Sequence, residues 1–312
     1  MRVVIHPGFP KSATTFLQSA FEAGVPGISY LGKFYSVANP KEEASRWAND
    51  LLFEAVQWCR SNAGEPYPAP ESLDVTIQEI EKRAFNGVMP KVHVLSDERL
   101  SKPGTTADWR QSLALRFHQL FPDAHILLTI RNQKPVLNSL FGMYLRHHAH
   151  QPQTNAVIDF SDWLKADGFG RTSFSDRLDY GAFYDAFEDV FGSDRIHVIP
   201  YEYLQTDSKL FVQALATVLG IPEFDLTMST TVNPRPSKHE LKHLATACRL
   251  PPRLRLHSLT KLLAPLLLHR LSLEMGEDEC RYVDDQFGES NRSLAERTGL
   301  DLAVLGYPLA ST

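Results

Sequence analysis

The 312-residue sequence predicts an α/β fold, with a central, mainly parallel sheet of about five strands flanked by helices. Three observations predict it. Short runs of β-branched and apolar residues recur along the chain. They alternate with segments whose apolar residues fall at helical spacing. Two of the runs, at residues 2–6 and 124–130, lead through a short loop straight into a helix, as parallel connections do.

Arg2-Val3-Val4-Ile5 reads as the first buried strand, and Thr14, Phe16, Leu17, Ala20 and Phe21 have the spacing of the first helix. Gly8 and Pro10 shape the loop between them. The amides of Ser12 to Thr15 fall at the helix start, where backbone N–H groups lack intrahelical acceptors and the helix dipole is positive. Such a site binds phosphate or sulfate. Ser12, Thr14 and Thr15 add hydroxyl donors, and Lys11 adds a compact positive charge. The loop is not a Walker P-loop, because the glycines of G-x-x-x-x-G-K-[ST] are missing. The plainer alternative is an ordinary βα turn with its Lys and Thr side chains in water.

Residues 28–31 form a short second strand. Glu42 to Cys59 carries Trp47, Leu51, Leu52, Ala55 and Trp58 in a helical stripe, and Leu73 to Phe85 is also expected to be helical. Residues 62–70, rich in Pro and Gly, read as a loop. Val92 to Ser96 is the third strand, with Asp97-Glu98-Arg99 just beyond its end. Ligands of open parallel sheets bind beyond the carboxyl ends of strands, so Glu98 is expected on the same edge as the Lys11 loop. A carboxylate there can take a proton from an acceptor hydroxyl. Alternatively, Asp97 or Glu98 caps the next helix or pairs with Arg99. His93 and His6 are the other candidate bases, although a His within a strand is more often a satisfied core residue.

Ala124 to Ile130 (AHILLTI) is the clearest buried strand, followed by Val136, Leu137, Leu140, Phe141 and Tyr144 at helical spacing. Pro135 is compatible with the first helical turn. Arg131, at the strand end, and Ser139, on the helix, suit a phosphate: one gives a forked guanidinium and the other a hydroxyl. Residues 150–172 are polar and expected to be irregular apart from a helix near Ser161 to Ala166. Tyr180 to Phe191 is helical, residues 195–199 form the last strand, and Ser208 to Leu219 is a helix closed by Gly220. Residues 231–238 read as an extended basic loop before another helix. Residues 249–270 combine leucines with Arg249, Arg253, Arg255, Lys261 and Arg270, interrupted by Pro251, Pro252 and Pro265. That pattern suits a core or dimer helix, or one lying on an anionic membrane surface. Phe287, Asn291, Leu294 and Ala295 mark a final helix.

The segment PKSATTFL at residues 10–17 resembles the 5′-phosphosulfate-binding loop of the sulfotransferases, commonly PKSGTT followed by an aromatic or apolar residue. Ala13 stands where Gly is usual, a change compatible with a negative φ. Strand–Arg131–x₇–Ser139–helix resembles their second signature, which grips the 3′-phosphate of 3′-phosphoadenosine-5′-phosphosulfate (PAPS). The third residue of that signature is often Pro. Here it is Gln133, with Pro135 two places on.

The resemblance implies the P-loop-NTPase-like sulfotransferase fold in a single domain over 1–312, helical from about residue 238. It implies PAPS as donor, adenosine 3′,5′-bisphosphate (PAP) as product, no metal, and a hydroxyl acceptor, with carbohydrate or glycolipid favoured over a phenol or small metabolite. Implied cofactor contacts are Lys11, Ser12, Ala13, Thr14, Thr15, Phe16, Arg131 and Ser139. A basic loop that closes over the nucleotide in that family adds Arg235, Ser237 and Lys238. Lys11 and Glu98 carry the catalytic roles. Phe9 or Phe16 packs on the adenine or, alternatively, in the core, and Glu202 reads as a structural brace. Two rival readings are a kinase-like phosphotransferase using ATP and a non-catalytic nucleotide-binding scaffold.

A formal net charge of −5 argues against a general nucleic-acid binder. The three cysteines, Cys59, Cys248 and Cys280, are scattered without metal spacing and suggest reduced thiols. With no leader and no apolar run of about 18 residues or more, the expected location is cytoplasmic and the only membrane contact expected is peripheral.

Overall fold

The computed structural model describes residues 2–30, 91–104, 107–151, 156–167, 173–224 and 236–310. The helices expected over 42–59 and 73–85 lie outside these residues, as do Leu31, Cys59 and Arg235. The chain divides into two compact units.

The first unit spans residues 1–130 and 180–230 and contains the sheet. Its strands are β1 (Arg2–His6), β2 (Ile28–Tyr30), β3 (Val92–Ser96), β4 (His125–Ile130) and β5 (Ile196–Pro200). Their order is β2-β3-β1-β4-β5, and every pairing is parallel. Side chains alternate across a strand, so β1 sends Val4 to one face. There it joins Val94, Leu127, Ile199 and residues of α1 (Thr14–Glu22) in one buried cluster. That cluster is completed by Phe211, Leu215 and Leu219 of the helix Ser208–Leu219. In chain order the unit's further helices are α2 (Trp109–Leu120), α6 (Tyr180–Phe191), α7 (Tyr201–Thr206) and that last one, α8. Buried aromatic residues of α2 and α6 form the second layer, with Trp109 and Phe183 edge to face at 6.0 Å. Asp207 caps α8 by accepting from the Leu210 amide, and Gly220 closes it at φ 66°.

The second unit spans residues 131–179 and 231–312 and is helical among its described residues. It holds α3 (Gln133–Ala149), α4 (Phe160–Lys165), α5 (Phe174–Leu178), α9 (Lys238–Arg249), α10 (His257–Leu267) and α11 (Glu277–Thr298). α9 packs against both α3 and α10. At Gly142 a Cβ would stand 2.9 Å from Pro236 Cγ and 3.4 Å from Leu241 Cδ2, so the close approach of α3 to α9 depends on that glycine. Phe141, Phe160, Trp163 and Phe174 form the aromatic centre of this unit.

All five strands and the helices at 180–191 and 208–219 lie within a residue or two of their sequence-based positions. The short helix near 161–166 starts one residue earlier, because the Asp159 side chain accepts from the Ser161 and Asp162 amides. Helices α2, α5 and α7 lie where the sequence pattern predicts none. Pro265 sits inside α10, two residues before its last residue, so the helix runs through the proline that the sequence pattern treats as a break.

Candidate active site

The first unit presents the Lys11 loop at the carboxyl end of β1. Three features shape it. At Gly8 a Cβ would stand 2.3 Å from Thr14 Oγ1 and Cγ2, so only glycine lets the strand end approach the helix start. Lys11 and Ala13 both have left-handed backbone, at φ 62° and 70°. The expectation that Ala13 replaces glycine at a negative φ is therefore corrected. Ala13 keeps the left-handed conformation, at a cost of about 1–2 kcal/mol for a residue with a Cβ. As the N-cap of α1, Ala13 supplies no side-chain hydrogen bond to the helix start. The first-turn amides thus keep their polarity for something outside the helix.

The hydroxyls divide into two groups. Ser12 and Thr14 are buried and both donate to the Phe9 carbonyl, at 2.8 and 3.2 Å. They fix the loop from below. Thr15 is exposed, and Lys11, Ala13 and Phe16 are half-buried. Phe9 is fully buried, edge to face with Tyr180 at 4.8 Å and Phe183 at 5.2 Å, and Phe16 packs on the cluster around Leu17. Phe9 therefore belongs to the core, whereas Phe16 is half-buried at its edge.

Beneath the loop runs a chain of buried polar groups. Gln18 Nε2 donates to Ser96 Oγ at 3.1 Å, Ser96 Oγ meets His6 Nδ1 at 2.8 Å, and His6 Nε2 meets Thr129 Oγ1 at 2.8 Å. Thr129 Oγ1 stands 3.3 Å from Ser12 Oγ. Ser12 has one hydroxyl proton, and it goes to Phe9. Thr129 must then donate to Ser12, His6 Nε2–H to Thr129, and Ser96 to His6 Nδ1. Burial pushes the imidazole down to about 3, so it is neutral, and both its nitrogens are engaged. His6 is placed to position the loop and not to exchange protons with a ligand. The sequence singles out His6 but not Ser96 and Thr129, which show only as polar residues near the ends of apolar strands, nor Gln18, a lone polar residue on the buried side of α1.

β3 is the neighbour of β1, with Ser96 opposite His6, so Glu98 lies on the same sheet edge as the loop. Its side chain is exposed, and its carbonyl shares the single Ser101 hydroxyl proton with the Gly8 carbonyl, at 3.0 and 2.8 Å. Asp97 takes the structural role: its carboxylate accepts from the Arg99 amide at 2.8 Å and from Arg99 Nε at 2.9 Å. His93 is buried in β3.

In the second unit, Arg131 and Asn132 lead into α3, where Asn132 is the N-cap and accepts from the Lys134 amide at 3.0 Å. Pro135 occupies the first turn, and Ser139 lies two turns along, half-buried like Arg131. Gln133 is fully buried, and its amide pairs reciprocally with Asn291 of α11, at 3.0 and 3.1 Å. Ser237 caps α9, accepting from the Glu240 amide at 3.2 Å, and Lys238 pairs with Glu274 at 2.8 Å. Among the described residues no group of three His, Cys, Asp or Glu side chains could hold a metal, and no helix is long and apolar enough to cross a membrane.

The Sulfotransferase family model matches residues 4–225, from β1 to just past α8. The chain belongs to the sulfotransferase family. Among solved structures, it is similar to a sulfotransferase from Alicyclobacillus acidocaldarius at 20% identity, over 83% of this chain and 95% of that one, with a TM-score of 0.45. It is similar to mouse sulfotransferase SULT7A1 complexed with PAP at 15% identity, over 93% and 84%, with a TM-score of 0.42. The sulfotransferase domain from the curacin biosynthetic pathway matches at 15% identity, over 99% and 98%, with a TM-score of 0.44. No curated protein sequence matches this sulfotransferase.

Proposed function

We propose that this sulfotransferase takes its sulfuryl group from PAPS and passes it to a hydroxyl acceptor, a carbohydrate or glycolipid, by in-line displacement. One observation carries the reading: two left-handed residues, Lys11 and Ala13, bend the chain so that the uncapped start of α1 faces outward at the carboxyl end of β1. The donor set suits a doubly anionic group, with one ammonium, the first-turn amides and the exposed Thr15 hydroxyl.

PAPS supplies a sulfuryl group on a mixed phosphate–sulfate anhydride. Negative charge grows on the oxygen that bridges phosphate and sulfur as that bond breaks. Lys11 and the amides from Ala13 onward neutralise it. Glu98, on the same sheet edge, takes the acceptor proton, a role worth about 10²–10⁴-fold in rate. Arg131 and Ser139 hold the 3′-phosphate, the guanidinium by a forked pair of N–H donors and the serine by its hydroxyl. Ser237, which caps α9, and Lys238, which pairs with Glu274, are further candidates for that phosphate.

Calorimetry with PAP, against ATP, AMP and adenosine 5′-phosphosulfate, tests the reading. PAP is expected to bind selectively, and Lys11→Ala and Arg131→Ala each to weaken it by tenfold or more, as loss of a charge-assisted contact of about 1.5–3 kcal/mol requires. Equal binding of ATP, or no binding of PAP, overturns it. With PAP binding established, sulfation assays over a panel of sugar, glycolipid and phenol acceptors identify the acceptor class, and Glu98→Gln tests the base.

A further inference from the structure

α10 is built inside out. Its sequence, HSLTKLLAPLL, is dominated by apolar residues, yet the residue it buries is Thr260. Leu262 and Leu266 are 74% and 70% exposed, and Leu256, just before the helix, is 64% exposed. An apolar patch left in water on this scale marks a docking surface.

The charge around it is one-sided. Residues 238–270 hold seven Lys or Arg and a single carboxylate, Glu240, in a chain of net charge −5. Glu240 is occupied by Arg146 at 2.8 Å, and Lys238 by Glu274. Lys242, Arg249, Arg253, Lys261 and Arg270 are exposed, and among the described residues no carboxylate pairs with them. Between α9 and α10, on the side of α10 away from Leu262 and Leu266, lies a cavity of about 310 Å³, mainly apolar and rimmed by Lys242, Lys261 and four histidines. His243 Nδ1 is held by Thr260 Oγ1 at 2.6 Å, so the one buried residue of α10 fixes the orientation of a lining ring.

We propose that α10 and its basic flanks dock on an anionic phospholipid bilayer, the exposed leucines entering the interfacial layer and the exposed Lys and Arg side chains around them meeting the lipid phosphates. Apolar insertion and basic attraction are the two components that hold a peripheral helix at such a surface, and both are present on one helix and its flanks. A second copy of this chain suits the face less well. A two-fold contact would set the basic residues against their own copies, with no carboxylate to compensate. A soluble anion accounts for the cavity but not for the leucines. The surface is independent of the donor reading, although it would bring the enzyme to lipid-borne acceptors.

Co-sedimentation of the full chain with phosphatidylcholine vesicles containing phosphatidylglycerol, against pure phosphatidylcholine vesicles, tests the proposal. The protein is expected to partition onto the anionic vesicles and to be released by high salt. Leu262→Ser/Leu266→Ser and Lys242→Glu/Lys261→Glu are each expected to lower that partition by about tenfold or more. These side chains are exposed or at the rim, so the circular dichroism of both variants should match the parent. Failure to bind anionic vesicles overturns the proposal, as does unchanged binding by both variants. A dimer in light scattering that the leucine variant dissociates, without vesicle binding, assigns the face to self-association instead. Saturable binding of inorganic phosphate without vesicle binding assigns the cavity to a soluble anion and equally overturns it.

Discussion

His6 Nε2 lies 2.8 Å from Thr129 Oγ1, on the strand beside its own, and through that hydroxyl the imidazole reaches the Ser12 end of the anion loop. The loop therefore rests on a neutral imidazole whose two nitrogens are committed in opposite directions. Removing the Thr129 hydroxyl leaves a buried N–H without an acceptor and Ser12 without its donor. Thr129→Val is expected to cost about 1–3 kcal/mol of stability, read as a lower urea midpoint at unchanged slope. If the reading of the donor site is right, PAP affinity falls as well, because the loop loses its floor.

The same imidazole sets a pH dependence. A free histidine titrates near 6.5, whereas burial holds His6 down to about 3 in the folded chain. Between those values the unfolded state binds a proton that the native state refuses, so stability falls as pH is lowered. His6 alone contributes a slope of about 1.4 kcal/mol per pH unit between roughly pH 6 and 4. His125 and His197, stacked at 5.1 Å, act in the same direction: burial and then the neighbouring His125 hold His197 down to about 4. Urea denaturation across this range checks the sign. His6→Gln should remove its share of the slope and leave that of the stacked pair. A His6 ring that NMR shows protonating near pH 6 in the folded protein would overturn the account.

Ala13 carries backbone strain at a position where the resembling loops place glycine. Ala13→Gly relieves a left-handed Cβ, worth about 1–2 kcal/mol, and returns about 0.5–1 kcal/mol to the entropy of the unfolded chain. The expected net gain is up to about 1 kcal/mol, visible as a rise in melting temperature. PAP affinity should hold or improve, since the amide stays in place. A lower melting temperature would show that the left-handed conformation is not strained here.

What was legible in the sequence was local. The strands announced themselves as apolar runs, the loop by Lys and hydroxyl residues between a strand and a helical stripe, and Glu98 by its place after the third strand. The buried relay was not legible, because its contacts join residues 90 and 123 positions apart and depend on register. Nor was the φ of Ala13, which alanine's own preference opposes. α10 shows the opposite failure. Apolar periodicity predicts that leucines turn inward, yet here Thr260 is inside and Leu262 and Leu266 face water.

Gly8→Ala tests the close approach at the loop directly. The added methyl would stand 2.3 Å from the Thr14 side chain, which is itself buried and hydrogen-bonded to Phe9, so it has little freedom to yield. Overpacking of this kind costs about 1–3 kcal/mol. Gly8→Ala/Thr14→Ser, which removes the nearest methyl, should recover part of that loss. No recovery would place the strain on the Thr14 hydroxyl, which stands as close to the added methyl as Cγ2 does and is kept by serine.

Gln133 stands where the second signature often has proline, and its amide pairs with Asn291 through two hydrogen bonds in a fully buried setting. Gln133 also donates to the Leu178 carbonyl at 3.2 Å, and Asn291 to the Pro308 carbonyl at 2.9 Å, so the pair ties the start of α3 to α11 and to the chain after it. Replacing one partner strands the other in a fully buried site. Asn291→Leu or Gln133→Leu alone is expected to cost about 1–3 kcal/mol, and the double substitution less than the sum, because no orphaned amide remains. Urea denaturation of the four proteins in the cycle gives the coupling. Additive losses would mean that the two amides act separately, each through its own backbone carbonyl.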